Sequence, residues 1–193
     1  MSESPPPPSA SATAAPAVPT AGAGHKPRRL AGDRGPAPIA ALAWATFFGA
    51  GYFPVAPGTA GTAAAVPLWW ALSAGPRWAY LAAAAAVALT GMAAAQRAGR
   101  YFGVADSGHI VIDEVAGYLV TMSFLPRNAF AAVTGFVLFR ICDVLKPWPA
   151  RVFDREPRWK NGAGVVLDDL FAGVWALVLT WGALLVKQRF VGP

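Results

Sequence analysis

Trp78-Ala-Tyr-Leu-Ala-Ala-Ala-Ala-Ala-Val-Ala-Leu-Thr-Gly-Met-Ala-Ala-Ala-Gln-Arg-Ala98 carries no charge before Arg97. A helix crossing a bilayer core of ~30 Å needs about 20 mostly apolar residues, and this run supplies them. Working outward, shorter apolar segments lie on both sides. Ile39–Ala50 is too short to span and meets a Pro/Gly-rich stretch, Gly51 to Thr62. Thr62–Ala74 is the next helical segment, broken off at Gly75-Pro76. Ile110–Leu125, Ala129–Leu145 and Val165–Val186 follow, and Lys146-Pro147 stops the second of these because proline cannot continue a helix. Apolar residues are 55% of the chain and charged ones 13%, against ~25% charged in soluble domains. Mean hydropathy is +0.43. The expected fold is all-α: a multi-helix integral membrane bundle over 37–193, preceded by a disordered Pro/Ala-rich tail, 1–36, too poor in large apolar side chains to offset its ordering entropy.

The charge pattern sets the expected orientation. Net charge is +6, but the cations do not form the dense stripe of a nucleic-acid binder. They collect between apolar segments: Lys26, Arg28 and Arg29; Arg97 and Arg100; Lys146 to Lys160; Lys187 and Arg189. That is the pattern of juxtamembrane loops facing anionic lipid. With the first segment interfacial or re-entrant, loops 97–109 and 146–164 fall inside and loops 75–77 and 126–128 outside. A multi-pass membrane protein, with its basic loops and its acidic residues toward the cytoplasm, is expected. The single cysteine, Cys142, excludes a disulfide framework and a Cys-rich metal site.

Acidic residues are few, 10 in all, and six stand beside apolar runs: Asp113, Glu114, Asp143, Asp154, Asp168 and Asp169. Carboxylates there cost free energy unless paired, hydrated or bound to a cation. Asp113 and Glu114 are helix neighbours pointing ~100° apart, so one could bind metal while the other orients a partner. Alternatively they mark a hydrated helix start that suits the helix dipole. Arg140, Asp143 and Lys146 share one helix face. They read as a carboxylate flanked by cations, suited to a phosphate and its metal, or as a plain ion-pair ladder. Asp168 and Asp169 follow Asn161-Gly-Ala-Gly164, a turn able to offer N–H groups to an anion; capping accounts for only one of the two acids. Pro54-Val-Ala-Pro-Gly-Thr59 is a stiff turn into a helix N-terminus, either an anion site or an entry turn. Six acids without a useful His or Cys favour Mg²⁺ over zinc. His109 reads as a surface loop residue, and no arginine stands six positions after Cys142 to make a thiolate phosphatase loop.

Five blocks in order then resemble the phosphatidylglycerophosphatase A family: Phe53-Pro-Val-Ala-Pro-Gly-Thr-Ala-Gly-Thr62, Ile112-Asp-Glu-Val-Ala-Gly117, Phe139-Arg-Ile-Cys-Asp-Val-Leu-Lys-Pro-Trp-Pro149, Phe153-Asp-Arg155 and Gly162-Ala-Gly-Val-Val-Leu-Asp-Asp-Leu-Phe-Ala-Gly173. The resemblance covers roughly 38–186. It implies an all-helical, Mg²⁺-dependent membrane enzyme that removes the phosphomonoester from phosphatidylglycerophosphate, leaving phosphatidylglycerol and inorganic phosphate. The expected metal-binding and catalytic set is Asp113, Glu114, Asp143, Asp168 and Asp169, with Thr59, Arg140 and Lys146 on the phosphate. The substrate lipid and the bilayer are the expected partners; nucleic acid is not. Thr62 stands where the family usually has Ser, and the loop Glu156–Lys160 is longer than usual, which moves Asp154 out of the set. Aspartyl-phosphate chemistry with an Asp-x-Asp pattern is not indicated, which favours direct attack by water. The main rival is a membrane cation or proton transporter using the acids as an ion path. That reading asks for acids at mid-span on several helices, whereas these crowd at segment starts beside cations. A CDP-alcohol phosphotransferase would need an Asp-Gly-x-x-Ala-Arg run, which the chain lacks.

Overall fold

The span opens at Pro76 and closes at Gly103, which takes the left-handed conformation (φ 76°) while Val104 N–H reaches back to Gly99 C=O at 3.0 Å. That is a glycine C-cap, satisfying carbonyls the helix leaves free. The helix between them runs Arg77–Phe102. In the computed structural model, which describes residues 37–191, it is α3 of seven α-helices, and no strand occurs among the described residues. The others are α1 (Ile39–Ala45), α2 (Pro57–Leu72), α4 (Ile112–Thr121), α5 (Ala129–Leu145), α6 (Ala150–Arg155) and α7 (Gly162–Val191), with 3₁₀ turns at Ala50–Tyr52 and Pro157–Trp159. The expected tail, 1–36, lies outside the described residues. Two helices, α3 and α7, are long and apolar enough to cross a membrane.

A ten-residue helix sits at the centre. α4 packs against α7, α3 and α2, and nearly every one of its side chains is buried. Small residues make room for it: Ala84, Ala88, Gly91, Ala95 and Ala98 line the buried face of α3. A Cβ on Gly91 would meet Ile112 of α4 at 3.1 Å, so the two backbones come close there. Close approach through small residues is how helices gain contact where lipid removes the hydrophobic drive. Trp69, Tyr118, Leu119 and Phe139 fill the interior without exposure, and Tyr80 Oη donates to Leu119 C=O at 2.5 Å. Large apolar side chains also stand on the outside. Leu89, Val133, Val178, Trp181 and Val186 are all exposed by more than half. An apolar belt of that extent is a surface for lipid or a partner, not for water.

Several expected boundaries move. α2 begins at Pro57, five residues before Thr62, because proline is preorganised for the first helical position. The loop 146–164 holds α6 and a 3₁₀ turn, and α7 begins at Gly162 rather than Val165. Asn161 caps α7: its Oδ1 accepts from Ala163 and Gly164 N–H, both at 3.0 Å.

Candidate active site

The site is built where α4 and α7 cross. Both helices run the same way, since Asp113 lies beside Asp169 and Thr121 beside Gly173. The crossing point is a glycine pair. A Cβ on Gly117 would meet Asp169 C=O at 2.7 Å, and one on Gly173 would run into Gly117 C=O. Thr121 locks the approach, its hydroxyl lying 3.0 Å from Gly117 C=O and 3.2 Å from Gly173 C=O. One turn before each glycine stands an aspartate, Asp113 on α4 and Asp169 on α7. The helical repeat puts residues four apart on one face, so a tight glycine crossing brings those two carboxylates together.

Glu114 joins them. Asp113, Glu114 and Asp169 each offer a carboxylate oxygen within 4.8 Å of the other two. Asp113 and Asp169 are buried and Glu114 nearly so. Neighbouring helical residues diverge by ~100°, and the longer Glu114 side chain swings back to the pair, so both members of the expected Asp113–Glu114 set face one point. Asp113 Oδ1, Glu114 Oε2 and Asp169 Oδ2 are buried without a hydrogen-bond partner. Three converging carboxylates with orphaned oxygens repel one another and lack solvent, an arrangement that a hard cation relieves. An all-oxygen donor set of this kind fits Mg²⁺ and offers nothing to a thiophilic metal.

The other two acids of the expected set stand against cations. Asp143 pairs with Arg140 at 2.7 Å, and Arg140 Nη1 also lies 3.8 Å from Glu114 Oε1. Asp168 forms a short ion pair with Lys146, which stands 3.9 Å from Asp143 and 4.0 Å from Asp154. Burial alone would push the Lys146 ammonium toward neutrality. The Asp168, Asp169 and Asp143 carboxylates outweigh it and hold its pKa above the ordinary lysine range. Arg140 and Lys146 therefore stand as cations beside the three-carboxylate cluster.

The start of α2 closes a third side. A Cβ on Gly58 would strike Glu114 Oε1 and come within 3.1 Å of Arg140 Nη1, so the start of this helix lies directly against both side chains and a larger residue there would displace them. Thr59 follows, half-buried beside Arg140. Thr62, fully buried, donates to Gly58 C=O at 2.9 Å, a bond that serine would make equally well. Below the cluster a polar cavity of about 780 Å³ opens, lined by Lys146, Arg151, Asp154, Arg155 and Asp106. Sequence reasoning gave no role to Asp106, in the loop before α4, or to Arg151 and Arg155, on the short helix α6, because none stands beside a long apolar run.

Two readings that the sequence left open fail locally. The Asn161–Gly164 turn is no anion nest: Gly162 N–H is taken by Gln96 Oε1 at 2.7 Å and the next two by Asn161. Its glycines serve packing instead, against Gln96 and Trp159. Asp168 and Asp169 are not caps either, since Asn161 holds that place. His109 packs in the loop, its Nδ1 3.1 Å from Gly51 C=O and its ring against Tyr52 and Phe102.

Comparison with known proteins gives this geometry a context. A family profile described as Phosphatidylglycerophosphatase A matches residues 43–184. Phosphatidylglycerophosphatase A of Escherichia coli K12 is 40% identical over 128 residues, 66% of this chain and 73% of that protein. The Haemophilus influenzae protein of the same name is 34% identical over 137 residues, 69% and 82% of the two chains. A Bacteroides thetaiotaomicron protein with the provisional name phosphatidylinositol-3-phosphatase is 33% identical over 142 residues, 69% and 87%. No solved structure matches significantly. The matched span contains the whole α4–α7 crossing, its three carboxylates and its two cations, and the chain belongs to the phosphatidylglycerophosphatase A family.

Proposed function

We propose that the chain hydrolyses the phosphomonoester of phosphatidylglycerophosphate, with Mg²⁺, to phosphatidylglycerol and inorganic phosphate. The observation that carries this reading is the set of three buried, unpartnered carboxylate oxygens on Asp113, Glu114 and Asp169, flanked by Arg140 and Lys146. A phosphate monoester brings negative charge, and two fixed cations beside a cation-ready carboxylate cluster are what such a substrate requires.

Asp113, Glu114 and Asp169 would hold the metal. When bound, it supplies charge stabilisation for the phosphoryl oxygens and a water of lowered pKa. Arg140, steadied by Asp143, presents its guanidinium to the phosphate, and Lys146, steadied by Asp168, adds a second positive charge. Asp143 and Asp168 thus hold cations rather than metal. Thr59 and the free N–H groups at the start of α2 offer neutral donors on the remaining side. The buried aromatics Trp69, Tyr118 and Phe139 seal the bundle beyond the carboxylates, keeping water to one side. The same seal argues against the transporter reading, which needs a polar route onward.

The site end carries Arg97, Arg100, Arg151, Arg155, Arg158 and Lys160, which supports a cytoplasmic face on an inner membrane. At the opposite end Arg127 lies over Trp70 at 4.7 Å and Lys187 over Phe130 at 5.0 Å, interfacial contacts of the kind found at a membrane boundary. The test is phosphate release by the purified full chain in mixed micelles, with and without Mg²⁺. Phosphatidylglycerophosphate should be cleaved only with metal, and faster than phosphatidylinositol 3-phosphate. No release with any divalent metal refutes the proposal.

A further inference from the structure

A groove of about 450 Å³ runs between the start of α2 and the outward face of α5. Thr59 and Arg140 form its polar edge; Val137, Ile141, Val144 and Leu145 form its wall. Val137, Ile141 and Val144 follow the helical i, i+4, i+7 pattern, giving α5 an apolar stripe on the side away from the core. Val144 and Leu145 are 72% and 65% exposed, and both also line the polar cavity that holds Lys146, Arg151 and Arg155. One ridge therefore divides an apolar trough from a charged basin. A water-soluble phosphate ester has no use for the trough, and a hydrocarbon has none for the basin. A phospholipid fits both.

We propose that the α2–α5 groove seats an acyl chain of the lipid substrate, so that the phosphate meets Thr59, Arg140 and Lys146 where the groove gives way, at the Val144–Leu145 ridge, to the polar cavity. The inference rests on the lipid phosphatase reading above and adds what it leaves open: how the substrate is taken from the membrane and held. Seating is lateral, from the bilayer, because the groove opens on the outward face of α5. A chain leaving lipid for this groove gains little hydrophobic free energy, since lipid tails are as apolar as leucine. What it gains is register: a chain held beside Thr59 and Arg140 delivers its headgroup to a fixed depth.

The experiment compares two substrates on the purified full chain in micelles: dioleoyl phosphatidylglycerophosphate and its deacylated, water-soluble glycerophosphate counterpart. The wild-type chain should prefer the diacyl lipid in kcat/KM by on the order of 100-fold. Val137→Trp and Ile141→Trp, which fill the groove from exposed positions, should each lower kcat/KM on the diacyl lipid about tenfold while leaving the deacylated substrate unchanged. Unchanged turnover of the deacylated substrate also shows that the variants are folded. Val133→Trp, on the same face but beyond the groove, should alter neither. Equal use of both substrates by the wild type, or equal losses on both in the groove variants, or no loss on either, overturns the groove assignment. If the wild type cleaves neither, the lipid phosphatase reading itself has failed.

Discussion

Gly117→Ala puts the geometry of the site under direct strain. Its new Cβ would lie 2.7 Å from Asp169 C=O, where an ordinary contact begins near 3.4 Å. Both atoms belong to helix backbones, so neither can swing aside, and α4 and α7 must part by several tenths of an ångström. Phe139, fully buried against the same point, closes the alternative of moving α4 sideways. Overpacking of this kind costs about 1–3 kcal/mol. The functional loss should be larger than that stability loss suggests. Asp113 and Asp169 are one turn from the crossing, and a displacement approaching 1 Å in a catalytic constellation costs on the order of 100-fold in rate. The assay is phosphate release from phosphatidylglycerophosphate in micelles, beside thermal unfolding followed by circular dichroism. Gly182→Ala on α7 is the control, because a Cβ there meets nothing within 4 Å. A Gly117→Ala protein with activity within twofold of wild type would show that the crossing does not set the carboxylate spacing, and the structural reasoning would fall with it.

Other consequences are sharper at single residues. Asp169→Asn should abolish measurable phosphate release while membrane insertion, read by fractionation, stays intact; unchanged turnover removes Asp169 from the site. Arg140→Ala should chiefly raise KM if the guanidinium only binds phosphate, whereas a fall in kcat alone assigns it to the transition state. Lys146→Gln leaves Asp168 buried without its partner and should cost roughly 2–3 kcal/mol, somewhat under the loss for a fully buried pair. Adding Asp168→Asn should restore much of that, measured as a double-mutant cycle in unfolding experiments. The sign with pH follows from the raised Lys146 pKa: while Asp168 is ionised, the lysine's contribution is complete below its ordinary value of 10.5 and is lost as pH rises through its higher value in the folded chain, and protonating Asp168 in acid removes the pair from the other side.

The helices were legible because their signals are compositional. Trp78–Ala98 announces α3 by length alone, and Lys146-Pro147 ends α5 in the sequence as in the structure. The acids were legible too, because charge beside an apolar run is conspicuous. Their division of labour was not. Nothing in the spacing separates Asp168, which holds Lys146, from its neighbour Asp169, which joins Asp113 and Glu114. That distinction depends on which face of α7 meets α4, and tertiary packing sets it. One signal was present and unread. Asp113-Glu-Val-Ala-Gly117 and Asp169-Leu-Phe-Ala-Gly173 share the pattern Asp-x-x-Ala-Gly, an acid one helical turn before a glycine. Two such helices crossing at their glycines must bring their acids together. The short α6 and the Asn161 cap escaped because their sequences, rich in Arg and Pro, read as loop, and because capping is decided by local hydrogen bonds rather than by pattern.

The central claim is that Asp113, Glu114 and Asp169 form a divalent-cation site while Asp143 and Asp168 serve the flanking cations. Equilibrium binding of Mn²⁺, a spectroscopic stand-in for Mg²⁺, to the purified chain and its variants by electron paramagnetic resonance tests it most directly. The wild type should bind saturably, with displacement by Mg²⁺; binding should be lost in Asp169→Asn and Glu114→Gln and retained in Asp143→Asn. Binding that survives in Asp169→Asn and Glu114→Gln but disappears in Asp143→Asn would contradict it.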